Sequence, residues 1–134
     1  MLSKKTKYGL KAISYISKRE LGTPILISEI SEEKNIPRKF LEAILLQLKN
    51  SGFLGSKKGK GGGYYLLKDP ETITLASLIR VLEGPIAMLP CVSLNFYEKC
   101  EDCASEEVCS LNVLMSEVRD GTLNILERKK LTDL

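Results

Sequence analysis

The stretch "ISEISEEKNIPRKFLEAILLQLKNSG", residues 27–52, decides the fold because it holds two helical patterns joined by a short turn. Ser28 stands where the N-cap of a short helix is expected. Asn35 can turn the chain after that helix, and Pro37 is placed to open the next one. Gly52 then closes the second helix. The stretch therefore predicts a helix-turn-helix.

The second helix of this pair has one apolar face and one polar face. The predicted buried stripe consists of Phe40, Leu41, Ile44, Leu45 and Leu48. The side chains left toward solvent are Arg38, Lys39, Glu42, Ala43 and Lys49. One face is thus expected in the core, and the exposed amino-terminal turn is basic.

Residues 53–67, "FLGSKKGKGGGYYLL", predict a two-stranded hairpin, because apolar segments flank a glycine-rich turn. The turn carries Lys57, Lys58 and Lys60. A Walker phosphate loop requires Ser or Thr after its lysine and then a helix, whereas Gly61 follows Lys60 and a strand-like segment comes next. We therefore interpret the turn as a lysine-tipped wing, with an ordinary hairpin bearing solvated lysines as the alternative.

Charge is distributed unevenly along the 134-residue chain. Residues 1–68 hold 14 Lys and Arg against 5 Asp and Glu, a net +9, while residues 69–134 hold 6 against 12, a net −6. A basic surface attracts phosphate polymers and releases their counterions on binding. Together with the helix-turn-helix and the wing, this charge predicts a region that binds double-stranded DNA over residues 1–68. Chance clustering of solvated charges is the alternative.

Helical periodicity also marks the segments on either side of this stretch. A first helix is predicted over residues 6–19, and a fourth begins after the probable cap Thr74 and ends at Gly84. The overall expectation is a mainly α fold with a small β-hairpin.

The final helix, predicted over residues 111–130, carries a near-heptad apolar seam. Its members are Leu111, Leu114, Met115, Val118, Thr122, Ile125 and Leu126. The seam is too long to serve one small domain, so we predict a dimerisation helix and a homodimer. A helix packed on its own domain is the alternative. Residues 69–134 would then hold the fourth helix, a cysteine loop at 91–109 and this dimerisation helix.

All four cysteines fall in one segment, with the spacing C-x8-C-x2-C-x5-C; they are Cys91, Cys100, Cys103 and Cys109. Buried structural cysteines usually lie on apolar faces. These four instead stand among acidic residues. Thiolates on a flexible loop can bind a soft metal centre. Zinc and an iron-sulfur cluster are both open, although the paired C-x2-C motifs of a zinc ribbon are absent.

The sequence contains no histidine, which excludes Ser-His-Asp and Cys-His catalysis and histidine-ligated zinc. An enzyme using a cysteine nucleophile is therefore disfavoured. No apolar run is long enough to span a membrane, and the amino-terminal residues lack the pattern of a secretory signal. We expect a cytoplasmic protein with reduced thiols and no membrane partner.

These motifs together resemble the IscR-like family of bacterial regulators, also called the Rrf or BadM family. The resemblance covers nearly the whole chain. Its carriers are "TKYGLKA" in the first helix, residues 27–66, "ITLASLIRVLEGP" and the cysteine loop before the long helix. It implies a homodimeric transcription factor whose recognition helix enters the major groove and whose wing engages the minor groove. It also implies a cluster beside the dimer helix, and for its type we expect 2Fe-2S in preference to 4Fe-4S.

The resemblance also implies which residues contact DNA. By position these are Ser28, Arg38, Lys39, Glu42 and Lys58. We also predict DNA contacts by Lys5, Tyr8, Lys57, Lys60 and Gly61. Lys58 occupies a wing site often held by arginine. A lysine keeps the charge there but lacks the planar fork of a guanidinium.

Cys91, Cys103 and Cys109 align with the three cluster cysteines of the family. The fourth ligand differs, because Asn112 stands where one branch has histidine and Lys7 where another has aspartate. Cys100 is the candidate for that place, which would make an all-thiolate site. Three alternatives keep the DNA-binding regulator: a thiol-disulfide switch, a structural zinc, and a cluster-free member that responds to a regulatory protein partner.

Overall fold

The computed structural model describes residues 2–134. Its main elements are five helices and one antiparallel hairpin, which confirms the mainly α fold with a small β-hairpin. In chain order they are α1 Lys4–Ser17, α2 Ile27–Lys34, α3 Arg38–Asn50, β1 Leu54–Lys57, β2 Gly63–Leu66, α4 Leu75–Leu82 and α5 Ser110–Arg128. Four short 3-10 turns lie at Pro70–Thr72, Pro90–Val92, Glu106–Val108 and Leu131–Asp133.

The helix boundaries follow local capping chemistry, and one predicted cap is wrong. Ser28 lies inside α2, whose N-cap is Leu26 without a side-chain hydrogen bond, because the helix begins directly after a strand-like bridge at Ile25. Asn35 ends α2 in the left-handed conformation at φ 53°, as its residue type favours. Pro37 is the N-cap of α3.

The core lies between α1, α2, α3, the hairpin and α4, and the predicted stripe of α3 supplies much of it. Its fully buried members on α3 are Leu41, Ile44, Leu45 and Leu48. Phe40 was predicted in this stripe, but its side chain is 45% exposed. The reason is angular, because Phe40 lies about 100° from Leu41 around the helix, at the edge of the buried face.

The hairpin is fastened to the segment before α2. The β1–β2 register pairs Leu54 with Leu66 and Lys57 with Gly63. The amide of Ile25 donates to the carbonyl of Tyr64 at 2.8 Å, and the Tyr64 amide donates back at 2.9 Å. A Cβ on Gly63 would lie 2.2 Å from the Ile25 oxygen, so this close approach requires glycine.

The end of the chain returns to the same core. The amide of Leu75 donates to the Lys129 carbonyl, and the amide of Leu131 donates to the Ile73 carbonyl, both at 2.9 Å. The Leu131 side chain is fully buried in the core. The two predicted regions, residues 1–68 and residues 69–134, therefore share one hydrophobic core.

Helix α5 packs on α4 but leaves most of its apolar seam uncovered. Leu123 is its only buried residue. The apolar seam residues that stay at least a third exposed are Leu111, Leu114, Val118 and Ile125. Over the described residues 2–134, no helix combines the length and apolar character needed to cross a bilayer.

Candidate DNA interface and cysteine cleft

The exposed face of α3 presents the charges that the sequence predicted for DNA contact. Arg38, Lys39 and Glu42 are all solvent-exposed at its amino-terminal end. The Arg38 guanidinium lies 3.4 Å from the Glu42 carboxylate, one helical turn away. Since both side chains are more than half exposed, this pair adds little to stability and both groups stay free to meet a ligand.

The wing presents its three lysines at the far end of the hairpin. Lys57, Lys58 and Lys60 are exposed. The turn between them depends on glycine, because Gly61 adopts φ 74° and the Gly62 amide donates to the Gly59 carbonyl at 3.0 Å. Gly61 therefore shapes the backbone that carries the lysines.

Residues of α1 complete the exposed surface beside α3. The Tyr8 ring meets the Phe40 ring edge to face, with centroids 5.8 Å apart and an interplanar angle of 87°. Lys5 and Lys39 lie beside this aromatic pair around one shallow hollow. The structure thus brings Lys5, Tyr8 and Lys39 together. Ser28, another predicted contact, is half-buried in the first turn of α2.

The four cysteines line one cleft of about 490 Å³ between the turn at Pro90–Val92 and the start of α5. We call this the cysteine cleft; its thiols are Cys91, Cys100, Cys103 and Cys109. All four are half-buried free thiols. The donor set suits a soft metal centre. Within residues 2–134, however, no three His, Cys, Asp or Glu side chains converge tightly enough to form a ready metal site.

Cys109 has the most distinctive environment of the four. It is the N-cap of α5, without a side-chain capping hydrogen bond, and the nearby Asn112 amide lowers the pKa of its thiol, as does a hydrogen bond with Cys103 and, less strongly, the Leu111 amide. The same hydrogen bond raises the pKa of Cys103 to about 11. The two sulfurs therefore behave as a linked pair, with Cys109 as the more acidic member.

Two polar contacts connect the cysteine cleft to the side of α5, and neither was predicted from the sequence. The Asn112 amide donates to the Cys91 sulfur at 3.5 Å. The Arg119 guanidinium donates to the Val92 carbonyl at 2.7 Å. For the contact between Arg119 and Val92, the only signal in the sequence was a charged residue beside the apolar seam of α5.

The chain is similar to known proteins over nearly its whole length. Residues 2–134 match the family model for Rrf2, described as an iron-dependent transcriptional regulator. The chain is 36% identical over 137 residues to an rrf2-like HTH-type transcriptional regulator of Rhodobacter capsulatus, covering 100% of this chain and 91% of that protein.

Solved structures match over 98–99% of this chain. CymR, the global cysteine regulator of Bacillus subtilis, matches with a TM-score of 0.79 and 30% identity over 99% of this chain and 94% of its own. The oxidized form of Staphylococcus aureus CymR matches with a TM-score of 0.74 and 28% identity over 98% of this chain and 92% of its own. IscR of T. potens has the same fold, with a TM-score of 0.77 and 24% identity over 99% of this chain and 84% of its own. These likenesses confirm the predicted winged helix-turn-helix.

Proposed function

The chain belongs to the Rrf2 family of transcriptional regulators, and from that membership we propose that it binds its operator as a homodimer through α3 and the wing. The similar proteins are regulators rather than enzymes, as the sequence predicted. The observation that carries the proposal is the exposed basic turn of α3 in a half of the chain with net charge +9.

In this proposal α3 enters the major groove with its amino-terminal end first. Arg38 and Lys39 are placed for phosphate or base edges, and Glu42 can accept a hydrogen bond from cytosine. Docking would exchange the exposed Arg38–Glu42 pair for contacts to DNA, at little cost because water already screens that pair. The wing lysines would supply phosphate contacts that carry no sequence information.

The seam of α5 supports the homodimer. Leu111, Leu114, Val118 and Ile125 are apolar side chains that a monomer leaves in water. Beside them, α5 and the segment after α4 border an apolar cleft of about 340 Å³. A second copy of α5 across a two-fold axis would cover both, and it would place two copies of α3 for the two halves of a palindromic operator.

We further propose that the cysteine cleft holds an iron-sulfur cluster, with Cys91, Cys100, Cys103 and Cys109 as the residues that would hold it. When bound, such a cluster supplies a redox-active centre ligated by thiolates. The description of the family as iron-dependent supports this assignment. The residues of this chain that would convey a change of shape are Asn112 and Arg119, because both join the cleft to α5.

A thiol-disulfide switch is the second candidate, and the linked pair Cys103 and Cys109 favours it. An oxidant such as a peroxide would take two electrons and two protons from these thiols and leave a disulfide. The thiol of Cys109 at a helix N-terminus is the natural first nucleophile. The solved oxidized form of S. aureus CymR, a structural relative, is consistent with this chemistry.

One experiment tests DNA binding and separates the two switches. Protein would be purified anaerobically, and its absorption spectrum, iron and sulfide measured, before titration of a duplex library at salt concentrations from about 50 to 200 mM. Affinity should fall steeply with salt. A coloured protein whose affinity changes on cluster removal supports the cluster, and Cys100→Ser should then weaken it. A colourless protein that loses two thiols on mild oxidation supports the disulfide, and metal analysis would reveal zinc.

A further inference from the structure

Phe40 is the member of the predicted buried stripe that the core does not cover. Its side chain is 45% exposed, although Leu41 and Ile44 beside it are buried. Its position is nevertheless fixed, because the edge-to-face contact with Tyr8 holds the ring against α1. An exposed aromatic ring with a fixed position on a helix that faces DNA is available for recognition.

This ring forms part of a shallow hollow of about 340 Å³, which we call the α3 hollow. Its lining residues are Lys5, Lys39, Phe40, Ala43 and Ile44. The floor is made of apolar atoms, while the ammonium groups of the two lysines are the charged groups of the lining. Such a surface suits an apolar group that is carried by a polyanion.

The hollow lies where a recognition helix reads bases. Phe40 and Ala43 are three residues apart, and Lys39 and Ala43 are four apart, so Ala43 is a neighbour of both on the helix surface. All three belong to the first two turns of α3, the part that contacts base edges in helix-turn-helix proteins.

Resting on the proposed DNA binding, we propose that the α3 hollow receives the C5-methyl group of a thymine in each operator half-site, with Phe40 and Ala43 as specificity-determining residues. The thymine methyl is the apolar group that base pairs display in the major groove. A cytosine there would lack this methyl, and its exocyclic amino group would face a floor without an acceptor. The lysines at the hollow would meet the neighbouring phosphates.

The test first selects tight-binding duplexes from a random pool with the wild-type protein. Each thymine of the selected site is then replaced singly by deoxyuridine, which removes only the methyl group. We expect one position per half-site at which this change lowers affinity about 4-fold, from the loss of one buried methyl. Other thymines should respond little.

A pair of matched variants assigns the effect to the ring. Phe40→Ala should bind the thymine and uracil duplexes equally. Phe96→Ala removes a phenylalanine of nearly the same exposure, 46% against 45%, from the cysteine loop and should keep the full ratio. Circular dichroism and thermal melting would verify that both variants fold. Tyr8→Ala removes the ring that packs against Phe40 and should reduce the ratio of the affinities for the thymine and uracil duplexes. This variant replaces Phe40→Ala in the test if Phe40→Ala does not fold.

Two outcomes would overturn the assignment while DNA binding stands. Wild-type protein could bind its site with no thymine sensitive to loss of its methyl, or folded Phe40→Ala could keep the 4-fold ratio. Failure of the wild-type protein to bind any duplex would instead overturn the proposed function, and the thymine site with it.

Discussion

Residues from α1 to β2 are held by a buried apolar core, whereas residues 91–109 are held by a few polar contacts. In the first region α3 alone buries four leucine or isoleucine side chains. Among residues 91–109, all of which the structure describes, only Val92 and Ser93 are buried. A surface that reads DNA requires fixed geometry, while a loop that senses a signal requires freedom to change shape. The difference supports the proposal that the first region contacts DNA and that residues 91–109 change shape.

The largest effect on stability is expected from a cavity in the core of the first region, which tests whether that core holds it together. Leu41→Ala should lower the free energy of unfolding by about 3 kcal/mol, because it removes a fully buried side chain and leaves a cavity. Leu46→Ala, on the same helix but 48% exposed, should cost less than about 0.5 kcal/mol. Urea denaturation measures both, and equal losses would contradict the assignment of the buried face.

The next largest effect concerns binding rather than folding. Replacing Lys57, Lys58 and Lys60 together by alanine should weaken DNA binding about 30-fold at low salt, because up to three phosphate contacts are lost. The slope of log affinity against log salt should fall by up to about 3. Lys129→Ala, an exposed lysine of the acidic half, is the control and should leave that slope unchanged. An unchanged slope in the triple variant would remove the wing from the interface.

Glu83, the C-cap of α4, joins α4 to the first residues of α1, and the pH dependence of stability should show this link. Its carboxylate accepts from the Ser3 amide at 2.9 Å, from the Ser3 hydroxyl at 2.8 Å and from the Thr6 hydroxyl. The Thr6 hydroxyl is the main cause, and the Ser3 amide the next, of a pKa below the usual glutamate value. Because the folded-state pKa is depressed, this stabilisation is present above the unfolded pKa of about 4.3 and is lost as pH falls through the folded pKa.

Glu83→Gln should therefore lower the free energy of unfolding by about 1 kcal/mol at pH 7. The gap between wild type and variant should close below about pH 4, as the wild-type carboxylate becomes protonated. Denaturation at a series of pH values measures it. A gap that persists at low pH would mean that the side chain acts through packing instead.

The smallest effect is expected in the cysteine cleft. Cys91→Ser and Cys103→Ser should each change the free energy of unfolding of the metal-free, reduced protein by less than about 0.5 kcal/mol, because neither thiol is packed in the core. Serine keeps the size and hydrogen-bonding capacity of the residue. A loss comparable to that of Leu41→Ala would mean that these cysteines are structural.

Local chemistry explains which features the sequence could predict. Thr74 caps α4 by accepting from the Ser77 amide at 3.1 Å, and Asn35 turns the chain, because each outcome depends on one residue and its near neighbours. The hairpin was likewise predictable, because apolar segments flank a glycine-rich turn in residues 53–67.

Tertiary geometry explains the failures. The exposure of Phe40 follows from its place at the edge of the face of α3 that the core covers, and the position of Ser28 inside α2 depends on the bridge at Ile25. The linked pair of Cys103 and Cys109 depends on a loop fold that spacing alone does not encode. In the candidate site, residue types were therefore predictable, whereas their pairings were not.

Helix α5 is anchored at both ends, because the residues after it return to the core. Arg119 joins it to the Val92 carbonyl beside the cysteine cleft, and past its last turn Lys129 and Leu131 join it to the backbone at Leu75 and Ile73. With 19 residues it spans about 28 Å. Because both ends of α5 are joined to other parts of the fold, we expect a displacement at its cysteine end to be transmitted to the start of α4.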